Sequence, residues 1–267
     1  MDQPTAQMQT LTDVLDAARA RALQATLGGT PTLIAGQPLP PFFHQIYFWD
    51  PAPPDLLGRD GHPATGGMIP DMGLPRRMWA AGRLQWHRAL LAGTQAERRS
   101  TVESVTRKDG RSGPLAFVRL RHDIWQRAAL ALTEWQELVY RADPTPDAIP
   151  PEAPQARTDE DHALRLSFDS TALFRYSALT FNGHRIHYDA AYARDIEGHA
   201  GLVVHGPLLA QVLILLARDR LGRDLTRFSY RATAPLIAGE AADFCWQNGA
   251  AWVRGADGRL CMEAEAG

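Results

Sequence analysis

Between Asn182 and His205 the chain crowds four histidines, His184, His187, His199 and His205, with Asn182 and Asp189 among them. Imidazole is the side chain whose ordinary pKa lies nearest neutrality, so such a segment suits proton transfer in a reaction. An asparagine can hold a water or steer an imidazole through its amide, but it cannot ionise. His187 and Asp189, followed by His199 or His205, also have the residue types of a two-histidine, one-carboxylate iron site. Immediately after the last histidine comes Gly206-Pro207, a pair that opens a helix. The first backbone N–H groups of a helix have no partner within it and attract developing negative charge.

Those residues need a scaffold, and the sequence predicts one. Pro207 suits the first helical position and Gly222 the stop, so Leu208 to Leu221 reads as a helix. Leu208, Leu209, Val212, Leu213 and Leu216 form one stripe, but Ile214 and Leu215 fall outside it. A helix apolar nearly all round is a buried helix. Strand-like runs follow at Arg227–Ala234, Ala241–Gln247, Ala251–Arg254 and Leu260–Glu265, with hairpin signals at Asn248-Gly249 and Asp257-Gly258. The picture is an antiparallel sheet curled on one buried helix. The first half repeats it loosely, with strands at Arg83–His87, Ser100–Thr106, Leu115–His122 and Glu134–Tyr140 and a turn at Asp109-Gly110. Its helical candidates are Thr12–Leu27, with Thr12 as N-cap, and the short aromatic run Pro40–Trp49. A shortened central helix there would leave room for a ligand. Prolines at 144, 146, 150, 151 and 154 mark residues 141–160 as a linker between halves 1–140 and 161–267.

The run Thr180-Phe181-Asn182-Gly183-His184-Arg185-Ile186-His187-Tyr188-Asp189, with the helix opener His205-Gly206-Pro207, resembles the active segment of the MaoC-like hydratases and hydroxyacyl-thioester dehydratases. It is most similar to the branch that holds mitochondrial-type dehydratases and bacterial mesaconyl- and itaconyl-CoA hydratases. The resemblance implies an α+β double hotdog, two fused halves each wrapping a sheet on a central helix. It implies a hydro-lyase acting on a 2-enoyl or 3-hydroxyacyl thioester. The family's catalytic histidine falls on His187 and its aspartate on Asn182. His187 would then carry the proton traffic, Asn182 would position the water, and the Gly206 N–H would stabilise the enolate oxygen. A C5 dicarboxylyl-CoA substrate would need a partner for its carboxylate, for which the arginine-dense stretch offers Arg76 and Arg77.

Three rivals stand beside this reading. The iron site is disfavoured because such triads sit on all-β jelly rolls, whereas a long helix follows here. Thioester hydrolysis generally needs a carboxylate where Asn182 stands, although Asp189 is available. A non-catalytic acyl-thioester binding module is the third, and a fatty-acid 3-hydroxyacyl dehydratase is the alternative within the same chemistry. The bulk numbers add exclusions. A net charge of −2 gives no reason to expect nucleic acid or an anionic membrane as partner. The longest mostly apolar stretch, Leu208–Ala217, falls short of a membrane span. Cys245 and Cys261 lack metal spacing and suit a reducing cytoplasm. No metal or cofactor is expected, the partner is an acyl-CoA or acyl-carrier-protein thioester, and a homodimer is left open.

Overall fold

The computed structural model describes residues 8–110, 113–144 and 152–267. Among them ten antiparallel strands make one sheet. In chain order they are β1 (Met8–Val14), β2 (Arg76–Trp86), β3 (Gln95–Gly110), β4 (Gly113–Gln126) and β5 (Ala129–Arg141) in the first half. The second half supplies β6 (His162–Ser167), β7 (Arg227–Ala232), β8 (Ala241–Gln247), β9 (Ala250–Gly255) and β10 (Leu260–Ala266). Their spatial order, β1-β3-β4-β5-β2-β7-β10-β9-β8-β6, is the same sequence of strands read outward from a central β2–β7 seam. The chain is thus internally duplicated, and the two five-stranded halves join edge to edge, so neither leaves an inner edge open. At the seam Gly82 lies opposite Tyr230. A Cβ on Gly82 would sit 2.5 Å from the tyrosine ring, which is why the strand carries no side chain there.

Among the described residues four α-helices accompany the sheet: α1 (Ala17–Thr26), α2 (Ser170–Thr180), α3 (Ala190–Asp195) and α4 (Gly206–Leu221). The expected central helix is α4, buried from Pro207 through Ile214 and again at Leu216 and Ala217, and stopped by Gly222 in the left-handed conformation. Its one polar interior residue, Gln211, is fully buried and donates to the Pro41 carbonyl across the halves at 3.0 Å. Where the first half should carry the matching helix, Pro40–Trp49 forms only a 3-10 turn over Phe43–Ile46. Two adjacent prolines at its start and two phenylalanines at positive φ, Phe42 (71°) and Phe48 (60°), prevent a continuous helix.

Three local expectations are corrected. Thr12 is not a helix cap; it lies in β1, which pairs with β3, and Asp16 caps α1 by accepting from the N–H groups of Ala18 and Arg19. Asp109 and Gly110 are not a turn but the last paired residues of β3, and residues 111–112 lie outside the described residues. The first-half strands run several residues beyond the predicted runs. The Asn248-Gly249 hairpin is present, with φ of 47° and 89°. The middle of the proline-rich linker, residues 145–151, lies outside the described residues. Among those described, no helix is long and apolar enough to cross a membrane.

Candidate active site

The histidine-rich run leaves α2 through Phe181, whose left-handed conformation ends the helix. The Asn182 Oδ1 then accepts the His184 N–H at 2.9 Å, an Asx turn that bends the chain into the 3-10 turn Arg185–His187. His187 is buried, and its Nδ1 lies 2.7 Å from the Val203 carbonyl. A carbonyl only accepts, so Nδ1 carries the proton and Nε2 keeps its lone pair toward the cavity that His187 lines. Burial, then the neighbouring His205 and His184, push the His187 pKa well below its ordinary value, so the ring is neutral at neutral pH. That is the protonation state a general base needs.

Beneath it His205 is fully buried, stacked on the His187 ring at 3.6 Å between centroids, with its Nε2 2.8 Å from the Ser177 Oγ. Burial, then His184 and His62, lower the His205 pKa to about 3. Gly206 is the first residue of α4 and lines the same cavity, so its N–H has no intrahelical acceptor. A Cβ there would meet only the Trp79 carbonyl, at 3.7 Å. Protein packing therefore does not demand this glycine, whereas close approach of a ligand to the backbone would.

The first half contributes a loop that sequence reasoning missed. Gly61 (φ 86°) packs backbone against backbone on Gly183: a Cβ on Gly61 would lie 2.1 Å from the Gly183 carbonyl oxygen. The Arg185 N–H donates to the Asp60 carbonyl at 2.9 Å. This contact brings in His62, whose Nδ1 lies 3.2 Å from the Asp60 carboxylate and whose ring rests 4.7 Å from that of His184. Burial, only partly offset by the Asp60 bond, lowers His62 to about 4. Burial would raise the Asp60 carboxyl, but His62 and then Arg77 hold it well below the usual range. His184, without an assigned role in the sequence reading, is buried beside Glu197 at 3.7 Å. Burial opposes ionisation of Glu197 too, and His184 and Arg76 beside it bring its pKa to about 2. The only sequence signal for this loop was the short turn-forming run Arg59-Asp60-Gly61-His62-Pro63, which carries no spacing that links it to residue 187.

Arg76 and Arg77 separate. Arg76 is buried and donates to the Glu197 carboxylate at 2.8 Å and to the Glu197 carbonyl at 2.9 Å, so it holds the loop and cannot also clamp a substrate. Arg77 lines the cavity, 3.9 Å from the Asp60 carboxylate. The iron-type triad is not assembled, because Asp189 caps α3 through the Tyr192 N–H and pairs with Arg185. Asp60, His62 and His184 do place three ligand atoms within 4.8 Å of one another. Arg77 stands beside that group, and its charge opposes a cation there.

The cavity, about 450 Å³, runs from His187, Asn182 and Gly206 toward the shortened segment of the first half, where Gln45, Phe48, Arg98 and Gln136 line it. Residues 42–238 match the model of the hydroxyacyl-thioester dehydratase type 2 family. The chain belongs to that family. It is 46% identical over 226 residues to a mesaconyl-C(4)-CoA hydratase of Chloroflexus aurantiacus, covering 82% of this chain and 79% of that one. Among solved structures, a MaoC-like dehydratase from Phytophthora capsici matches with a TM-score of 0.70 at 13% identity, over 98% and 95% of the two chains. A Mycobacterium tuberculosis protein described as a double hotdog matches with a TM-score of 0.63 at 15% identity, over 99% and 96%. The fold is the double hotdog, and the enzyme is a hydro-lyase.

Proposed function

We propose that this hydro-lyase adds water across the 2,3-double bond of a small branched dicarboxylyl-CoA, with mesaconyl-C4-CoA giving citramalyl-CoA. The observation that carries the mechanism is the neutral His187, anchored through Nδ1 and facing a cavity whose other wall offers the first N–H of α4. The Nε2 lone pair takes a proton from water, and the oxygen bonds to the carbon β to the thioester. The electron pair of the double bond moves toward the thioester carbonyl, whose oxygen gains charge against the Gly206 N–H. The proton held on Nε2 then passes to the α-carbon on the same face, and the elements of water are fully accounted for. Asn182 supplies the amide N–H₂ that holds the water, since its Oδ1 is already engaged by His184. The 46% identity to a mesaconyl-C(4)-CoA hydratase supports the substrate class. Purified protein incubated with mesaconyl-C4-CoA should lose the enoyl-thioester absorbance without releasing thiol. Thiol release would establish a thioesterase, and tight binding with neither change would establish a binding module.

A further inference from the structure

A dicarboxylyl thioester brings a second carboxylate into this cavity, and in mesaconyl-C4-CoA it is attached to the very carbon that water attacks. A carboxylate taken out of bulk water requires a cation or several donors. The cavity holds two arginines, Arg77 and Arg98. The charge of Arg77 is already faced by Asp60 at 3.9 Å.

Arg98 is in a different position. It stands on β3 opposite Ile124, and its Nη2 donates to the Phe48 carbonyl at 3.2 Å. Its Nε is shut off from solvent and has no hydrogen-bond partner. Among the described residues no carboxylate lies within ion-pair distance of it. Glu134 is the nearby buried acid, but its Oε2 faces the His44 Nε2 at 3.1 Å and its Oε1 accepts from the Gln45 Nε2 at 2.6 Å. Burial pushes the Arg98 pKa down further than the charges of Glu134 and Asp50, neither within ion-pair distance, raise it. The surroundings are also arranged around this side chain. Phe48 holds a left-handed φ of 60°, its N–H is fixed by the Asp13 carboxylate at 2.9 Å, and its ring lies 5.5 Å from the guanidinium carbon. A bulky residue in that conformation is strained and persists only where neighbours enforce it. Here the strain aims a carbonyl and an aromatic face at Arg98.

We infer that Arg98 is the carboxylate-binding residue of the acyl pocket and sets the preference for dicarboxylyl over neutral acyl thioesters. The inference rests on the hydratase reading above for its ligand. The planar fork, with one Nη2 N–H engaged by Phe48 and Nε shut off from solvent, presents Nη1 and the second Nη2 N–H to the substrate carboxylate, and Gln136 lines the same cavity.

The test compares kcat/KM for mesaconyl-C4-CoA with that for crotonyl-CoA and 3-methylcrotonyl-CoA in the wild-type, Arg98→Gln, Arg98→Lys and Arg77→Gln proteins. Wild type should favour the dicarboxylyl ester. Arg98→Gln should cut that preference by at least ~100-fold, the scale for removing one partner of a buried charged pair. Arg98→Lys, which keeps the charge but loses the fork, should retain part of it. Melting temperatures of the same preparations, close to that of wild type, report that the variants are folded. A wild type without dicarboxylate preference would overturn the substrate reading itself. A preference that is present in wild type and survives in Arg98→Gln would overturn only the role of Arg98. Collapse of the preference in Arg77→Gln but not in Arg98→Gln would move the clamp to Arg77.

Discussion

Acid should unfold this protein well before its carboxylates titrate, because several histidines are folded in as neutral rings. His122 and His205 are the clearest. His122 is buried with Nδ1 on the Ser100 Oγ at 2.7 Å and Nε2 without a partner; burial, then the charge of Arg98, lower it to about 4. His205 is lowered to about 3. In the unfolded chain both return to the ordinary value near ~6.5. Above that value both states are neutral and the full stability is present. As pH falls below it, the unfolded state takes up protons that the native state refuses, so stability drops. At pH 5 each ring then costs on the order of 2 kcal/mol relative to pH 7.5. For the pair this is a large share of a total stability of ~5–15 kcal/mol. His187 acts in the same direction, and His62, which faces the cavity, adds a smaller amount. Urea unfolding monitored by tryptophan fluorescence at pH 7.5, 6.5, 5.5 and 5.0 measures the slope. His122→Gln should flatten it by as much as ~1.4 kcal/mol per pH unit, one proton's worth. A wild-type stability that changes by less than ~1 kcal/mol between pH 7.5 and 5 would refute the neutral-ring argument.

His187→Ala should lower hydration by at least ~100-fold while the melting temperature stays near wild type; near-normal turnover in the folded variant would sink the mechanism. Asn182→Asp keeps the acceptor for the His184 N–H, whereas Asn182→Ala loses both that bond and the amide donors. Steady-state assays should therefore find alanine the more damaging, and equal losses would remove Asn182 from the water site. Gly61→Ala should lose most of its activity and be clearly less stable than Gly36→Ala. Both glycines have φ of 86°, but only Gly61 would also drive a Cβ into the Gly183 carbonyl. Equal melting temperatures for the two would show that the loop contact does not position the site.

The legible parts of this chain were those whose signals are local. The helix α4 announced itself through Pro207, Gly222 and an apolar surface on every side, and Asn248-Gly249 fixed one hairpin. The strand β4 turns into β5 through Arg127 and Ala128, both at positive φ (52° and 57°), with no glycine to signal it. There the long ladder of β4 and β5 imposes the turn on ordinary residues. Strands β1 and β6 escaped notice because both are edge strands, only partly buried, and their pairing depends on partners far away in the chain, such as Thr101 for Met8 and Trp246 for His162. The site divides the same way. Asn182, His187, Glu197 and Gly206 share one short stretch of sequence, whereas His62 and Arg98 reach the cavity only through the fold. Arg76 looked like a clamp because charge counts by sequence do not reveal that Glu197 already takes it.

The two halves have the same strand plan but have come to do different things, and the difference explains where the cavity lies. In the second half α4 packs its buried leucines into the core against the sheet, and only its first turn, from Gly206 to Leu209, reaches the cavity. In the first half the corresponding helix is reduced to a single 3-10 turn, which leaves backbone groups that need partners and volume that needs filling. Gln211 answers part of the first need by reaching from α4 to the Pro41 carbonyl, and Phe48 is held open by Asp13. The volume that remains faces the one place where α4 still exposes unpaired N–H groups, its first turn at Gly206. A second full helix would have closed the cavity on both His187 and Arg98. Loss of the helix in one half and retention of its N-terminus in the other are therefore parts of one arrangement, in which neither half alone could hold and hydrate an acyl thioester.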